Sequence, residues 1–339
     1  MITDAIKSVV ENKNLSRENA ISTMQDIMGG TSTPSQIASL LTALRMKGET
    51  VDEITGFAQA MRSFSSQIKP QSKNLVDTCG TGGDVSYTFN ISTISAIVAA
   101  GAGVVIAKHG NRSVSSKCGS ADLLEALGVK IDLIPSRVED CINKIGIGFI
   151  FAPAFHPAMK FAMPSRKEIG IRTIFNILGP LTNPANASSQ VVGVFDENLT
   201  NVIAEVLNNL GVAQAFVVHG MDGLDEITIS TKTKITHVKD KMFNTYYLDP
   251  SDFGFQLASK DVLVSSNISQ SVEITREILK DKKKGPQRDI VLLNSAAAIV
   301  AGGCAKNFAE GVKIAGHSID SGKAFEKLEQ LVSVSNIKE

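Results

Sequence analysis

Gly80-Thr81-Gly82-Gly83-Asp84 directly follows the run 75–78. Glycines at the end of a strand let the backbone pass close to a ligand, and successive N–H groups there form a nest for an anion. Asn90-Ile91-Ser92-Thr93 opens an Ala/Ile-rich helical stretch. Ser or Thr in that position caps a helix, whose N-terminus favours phosphate. The lysine and spacing of a Walker A loop are absent, and so is G-x-G-x-x-G. A tight turn with an ordinary N-cap reads the same, so this cluster is weak alone. The second segment, KHGNRSVSSKCGS at 108–120, follows the apolar run 104–107. Lys108, Arg112 and Lys117, with Ser113, Ser115, Ser116 and Ser120, make a dense set of phosphate donors. A solvated basic turn seldom combines so many hydroxyls with a preceding buried strand.

Two further segments extend the chemistry. Gly223-Leu224-Asp225-Glu226 comes after the apolar run ending at Val218. Paired acids on a turn can share a hard divalent cation with a diphosphate. In a regular strand they would face opposite sides, so they need a bend to converge. Two surface acids are the alternative. The fourth segment is Pro164-Ser165-Arg166-Lys167-Glu168, then Arg172, then NILGPLTNP at 176–184. Arginine offers a planar fork suited to a carboxylate, and a surface arginine is the alternative. Together the four describe a site for a diphosphate ester with Mg²⁺, plus an arginine for a second, anionic substrate. Residue types leave the acceptor open.

These segments work only if a scaffold gathers them. Short apolar runs at 75–77, 103–107, 214–220 and 289–294 read as buried strands, and 121–127 and 199–210 as helices. That alternation predicts an α/β sheet domain, and open α/β sheets bind ligands just outside the carboxyl ends of their strands. Two Gly/Pro-marked stretches, 151–166 and 176–190, read as long structureless loops of the functional or lid-like kind. The first 65 residues differ in texture. Thr33-Pro34-Ser35-Gln36 is a capping box with Pro at the first helical position. Ile37, Leu40, Leu41 and Leu44 follow as one stripe, and Gly48 ends it. Thr50-Val51-Asp52-Glu53 opens another helix with Ile54, Phe57 and Met61 on its face. The stripes are more apolar than a single thin layer of helices needs, so some of Ile37, Leu40, Leu44, Phe57 and Met61 are expected to face a partner subunit. Residues 66–74 read as a linker.

Composition bounds the function. The 339 residues suffice for two domains, and 43% apolar content is that of a globular chain. Lys+Arg and Asp+Glu both count 34, so no global field draws the chain to nucleic acid or anionic lipid, and any phosphate site must be local. Cys79, Cys118, Cys141 and Cys304 show neither C-x-x-C nor zinc-finger spacing, as expected of reduced thiols in a cytoplasmic protein. The start, MITDAIKSVVENK, does not read as a signal peptide. The longest uncharged stretch, 85–107, is too polar to span a bilayer.

GTGGD, NIST, KHGNRSVSSKCGSADLLEALG, HPAMK, PSRKEIGIRTIFNILGPLTNP and GLDEIT occur in that order. The order resembles that of the anthranilate phosphoribosyltransferases, over nearly the whole chain including the helical N-terminal part. Phe161 and Cys118 sit where other residues would serve, and neither alters the chemistry. The resemblance implies an α/β fold: a large domain with a central mixed, mainly parallel sheet (74–339) and a small all-helical N-terminal domain (1–68). It implies that 151–190 crosses back to the helical domain, which helices from about 164–185 join, and that the chain is a homodimer through that part. By similarity, Gly80, Gly83, Asp84, Thr88, Asn90, Ile91, Ser92, Thr93, Lys108, His109, Gly110, Asn111, Arg112, Ser113, Val114, Ser115, Ser116 and Ser120 hold 5-phosphoribosyl 1-diphosphate. Ser92, Asp225 and Glu226 take Mg²⁺, expected as two ions brought partly by the diphosphate. Gly80, Asn111 and Arg166 hold anthranilate. No general base is implied. His109 is a candidate, although a structural histidine is the plainer reading. A nucleoside phosphorylase on the same fold is the nearest rival, but its orthophosphate needs no paired-acid clamp. A nucleic-acid binder on this fold is the other, and zero net charge opposes it.

Overall fold

The computed structural model describes residues 1–84, 86–113 and 118–337. It opens on α1 (Ile2–Val10), α2 (Arg17–Met28), α3 (Pro34–Lys47) and α4 (Val51–Ser63). Both expected capping boxes form, Thr33 with Gln36 and Thr50 with Glu53, and they satisfy N–H groups that a helix start leaves open. The fully buried Glu53 carboxylate also accepts from the Leu15 N–H and from Lys47 Nζ, both at 2.9 Å, tying α3 and α4 to the chain before α2.

The α/β part runs β1 (Leu75–Gly80), α5 (Ile91–Gly101), β2 (Val105–Gly110), α6 (Ser120–Ala126), α7 (Pro135–Ile145), β3 (Ile147–Phe151), α8 (Ala152–Phe155), α9 (Met163–Ile169), α10 (Phe175–Leu178), β4 (Ser189–Gly193), α11 (Leu199–Asn209) and β5 (Gln214–Gly220). The hairpin β6 (Thr233–Lys239) and β7 (Met242–Leu248) follows, then α12 (Ile268–Leu279), α13 (Pro286–Ala301), α14 (Phe308–Asp320) and α15 (Lys323–Ser335). The sheet order is β3-β2-β1-β4-β5-β6-β7. Its first five strands are parallel, and the β6–β7 hairpin adds antiparallel pairing at one edge, so the sheet is mixed and mainly parallel. The winding reverses between β1 and β4. A crevice opens at such a reversal, where these sheets bind ligands.

Strand alternation sorts the cores. Val76, Ile106, Val191 and Phe216 pack with α5 and α12 to α15 on one face. Val192, Val194, Ala215 and Val217 pack on the other face with α11 and the N-terminal helices in one continuous cluster. Ile37, Leu40, Leu44, Phe57 and Met61 are all buried inside this chain. They therefore do not face a partner, contrary to expectation, because α4 rests on α11 and the bundle is not a thin separate layer.

Two other expectations are corrected. The run 289–294 is not a strand but part of α13. Every residue from Ile290 to Ala301 is buried, so a helix surrounded by protein shows the unbroken apolar run of a buried strand. The stretches 151–166 and 176–190 are not structureless. Pro153, Pro157, Pro164 and Pro180 each start a short helical turn, in α8, in 3-10 turns at Pro157–Phe161 and Gly179–Leu181, and in α9. From there the chain meets the N-terminal helices: Ser165 Oγ donates to the Pro34 carbonyl at 3.0 Å, and Gly30 has no room for a Cβ beneath the Phe161 ring.

Candidate active site

β1 and β4 end side by side in Gly80 and Gly193, which are register partners at the reversal. The segment carrying Asp225 crosses directly above them. A Cβ on Gly193 would overlap the Asp225 carbonyl, and one on Gly80 would overlap its carboxylate. Both strand ends must be glycine for the acids to lie there. Asp225 Oδ2 accepts from the Gly82 N–H at 2.8 Å, and Glu226 Oε1 accepts from the Ser92 N–H at 3.2 Å. The bend required for convergence is held from below by Asn294 of α13, whose amide bonds both the N–H and the carbonyl of Ile227. Gly82 and Gly83 both have positive φ, and the Gly83 carbonyl accepts from Arg172, whose guanidinium lies 4.7 Å from the Phe195 ring centroid.

The helix start differs from expectation in one respect. Neither Ser92 nor Thr93 caps α5; Asn90 is at the N-cap, and its side chain donates to the Cys118 carbonyl at 2.9 Å instead. The first turn of α5 is left open toward the acids, with its positive dipole end beside Glu226. Ile91 and Thr93 are buried, so Ile91 offers the site only its backbone. Lys108 is 3% exposed; its Nζ donates to the Thr78 carbonyl and lies 3.5 Å from Ser92 Oγ. Burial lowers its pKa, opposed by Asp77, Cys79 and Glu226.

The electrostatics are those of acids crowded together. Burial and then Asp84 push the Asp225 carboxyl up to about 7. Burial and then Asp225 push Glu226 well above the usual carboxylate range. Half-buried, mutually repelling carboxylates suit a hard divalent cation. Among the described residues no group of three such ligands is already assembled, so a cation there would take its remaining oxygens from substrate and water.

The opposite face of the same strands carries a second polar set. Asp77, fully buried, accepts from the His109 N–H at 3.0 Å and from Asn183 Nδ2 at 2.8 Å. The His109 and His156 rings lie 5.2 Å apart, and neither Nε2 has a partner among the described residues. Burial holds His109 down to about 3, helped by His156, and His156 down to about 4. A ring so reluctant to take a proton is a poor general base.

The other expected residues lie around this crevice in less direct arrangements. Asp84 accepts from the Ser86 N–H at 3.4 Å, and Thr88 pairs with Val264 in an isolated bridge. The Asn111 carbonyl accepts from Ser120 Oγ at 3.2 Å; the Ser113 and Gly119 N–H groups both donate to Asp122 Oδ2. Arg112 is turned onto Asp122 and Glu125 at 2.7–3.0 Å, so its charge is already paired. Val114, Ser115, Ser116 and Lys117 lie outside the described residues. Arg166 lies 5.0 Å from the Phe175 ring centroid, in contact with Met163. Gly193, Asn294 and Asp77 were not singled out from sequence, and Asn183 was named only as part of its motif. Asn294 carried a signal, as a polar residue inside the long apolar run.

The α/β domain of the glycosyl transferase family matches residues 72–325, and its helical bundle domain matches residues 3–65. An anthranilate phosphoribosyltransferase of Acetivibrio thermocellus is 55% identical over 99% of this chain and 97% of its own length. The crystal structure of the Thermus thermophilus enzyme superposes with a TM-score of 0.94 at 40% identity, covering 98% of this chain and all of that one. The Saccharomyces cerevisiae enzyme, solved in complex with PRPP and Mg, gives a TM-score of 0.90 at 29% identity over 98% of this chain and 97% of that one. The chain therefore belongs to the anthranilate phosphoribosyltransferase family, on the two-domain glycosyl transferase fold.

Proposed function

We propose that this chain transfers the 5-phosphoribosyl group of 5-phosphoribosyl 1-diphosphate to the amine of anthranilate. The products are N-(5-phosphoribosyl)anthranilate and diphosphate, a step of tryptophan biosynthesis. The carrying observation is the pair Asp225–Glu226, bent over the glycine ends of β1 and β4 and set against the open start of α5. The family relatives bear this activity in their names, and the yeast relative was also solved with 4-fluoroanthranilate.

In this reading Asp225, Glu226 and Ser92 hold Mg²⁺, as two ions, which neutralise the departing diphosphate. Gly80, Gly83, Asp84, Thr88, the start of α5 from Asn90 to Thr93, the residues from Lys108 to Ser116, and Ser120 cradle the phosphates and ribose. Arg112 would have to leave Asp122 and Glu125 to join them. Gly80, Asn111 and Arg166 hold anthranilate. Its arylamine is neutral at pH 7 and keeps a free lone pair, so the chain's task is to position it behind C1 more than to deprotonate it. The protein is further read as a cytoplasmic homodimer formed through the helical part. The buried stripes leave that contact to exposed apolar side chains such as Val10 and Met46. No helix among the described residues is long and apolar enough to cross a membrane.

The test is to mix the chain with 5-phosphoribosyl 1-diphosphate, anthranilate and Mg²⁺ and follow anthranilate fluorescence. Loss that requires all three components supports the reading. Persistent fluorescence, together with phosphate-dependent cleavage of a nucleoside, would replace it with a phosphorylase.

A further inference from the structure

The turn 179–183, GPLTN, leads from α10 toward β4, and five polar side chains from five parts of the chain meet it, three of them through hydrogen bonds. The His109 ring lies against the backbone of Gly179, and the His156 ring against that of Thr182. Gln190 Nε2 donates to the Pro180 carbonyl at 2.9 Å, and Arg62 Nε, from α4, to the Leu181 carbonyl at 2.8 Å. Asp77 accepts from the Asn183 side chain. Asp77 and Gln190 are register partners on β1 and β4, so both side chains leave the same face of the sheet toward the turn.

Gln190 departs furthest from what folding alone asks. It is 1% exposed, and its Oε1 has no partner among the described residues. A buried acceptor without a donor disfavours the folded state. Methionine, of similar length and with no amide to satisfy, would fill the same space. What glutamine adds is the single bond that fixes Pro180. The turn continues directly from α10, whose Phe175 ring supports the Arg166 guanidinium, and it backs His109, two residues before Asn111.

We propose that Gln190 is a positioning residue for the acceptor: by holding Pro180 it sets the spacing between the Arg166 support and the end of β2 between which anthranilate binds. This rests on the function proposed above. Arg62 acts on the next carbonyl in the same way, so the helical bundle takes part in shaping the acceptor side.

The experiment compares the full-length wild type with Gln190→Met. The variant is expected to raise the anthranilate KM about fivefold to twentyfold, while the phosphoribosyl diphosphate KM stays within about twofold, since small misplacements of positioning groups are amplified in turnover. Its melting temperature is expected to hold or rise, and the amides of Leu181, Thr182 and Asn183 to exchange faster in the ligand-free protein. An unchanged anthranilate KM overturns the inference, and so does an equal rise in both KM values with a lower melting temperature. If Gln190→Met does not fold, Arg62→Met, which removes the donor to Leu181 and keeps the aliphatic stem, is read by the same criteria. A wild type that ignores anthranilate would sink the proposed function and this inference with it. An active wild type beside an unaffected variant sinks this inference alone.

Discussion

Arg166 lies against Phe175 with no carboxylate partner among the described residues, and burial lowers its pKa. A guanidinium in that condition is ready for an anion. A charge-assisted hydrogen bond is worth ~1.5–3 kcal/mol, so Arg166→Ala should raise the anthranilate KM about tenfold to a hundredfold and leave phosphoribosyl diphosphate binding nearly unchanged. Arg166→Lys should recover only part, because an ammonium lacks the planar fork. Steady-state kinetics in both substrates checks this. An unaffected anthranilate KM would move the carboxylate to Lys167, since Arg172 is already engaged with Gly83. The buried histidines give a second prediction. His109 and His156 titrate near 3 and 4 in the folded chain, below their ordinary 6.5. The unfolded state therefore binds more protons between pH 6.5 and 4. Stability is full above 6.5 and falls as pH drops, by about 1.4 kcal/mol per pH unit for each histidine. Urea midpoints at pH 7 and 5 should show a smaller loss for His156→Gln than for wild type; equal losses would contradict the assignment. At this scale the sequence was most informative where several polar residues cluster at a strand end, as around Asp225, Glu226 and Lys108. Asp77 and Gln190 were invisible because a polar residue inside a strand has no local signature; its partners come from distant segments.

The elements that position these residues were legible where local chemistry decides the structure. The capping boxes at Thr33 and Thr50 mark the starts of α3 and α4 to the residue. They were not legible where tertiary surroundings decide. The β6–β7 hairpin turns through Asp240 and Lys241, both with positive φ, and carries none of the Asn-Gly signal such turns usually show. The apolar run in α13 has no period to distinguish helix from strand. The glycine at the end of β4 was missed because its reason is Asp225 passing overhead, a contact 32 residues distant by number. That contact makes a sharp prediction. Gly193→Ala must lift the Asp225–Glu226 segment off the strand ends, so turnover should fall about a hundredfold or more with weaker dependence on Mg²⁺. Full activity in Gly193→Ala would show that the acids do not need this seat.

At the scale of the whole molecule, the N-terminal helices and one face of the sheet share a single apolar cluster through α11. A bundle without its own closed core does not melt separately. Calorimetry should give one transition in which helical and sheet signals are lost together; a separate early transition of the bundle would contradict the shared core. The same architecture makes the site depend on long-range placement, with β1, β4, α5 and the chain after β5 all meeting at the reversal of the sheet. That meeting point can be tested without disturbing the fold, because Asp225 and Glu226 face the crevice and not the apolar core. The most direct measurement is the turnover of phosphoribosyl diphosphate and anthranilate by Asp225→Asn with Glu226→Gln, followed across a Mg²⁺ titration. The account predicts a native melting temperature, or a higher one since two crowded acids are neutralised, and a loss of at least about a hundredfold in turnover that added Mg²⁺ does not restore. Wild-type turnover with a wild-type Mg²⁺ profile would contradict it.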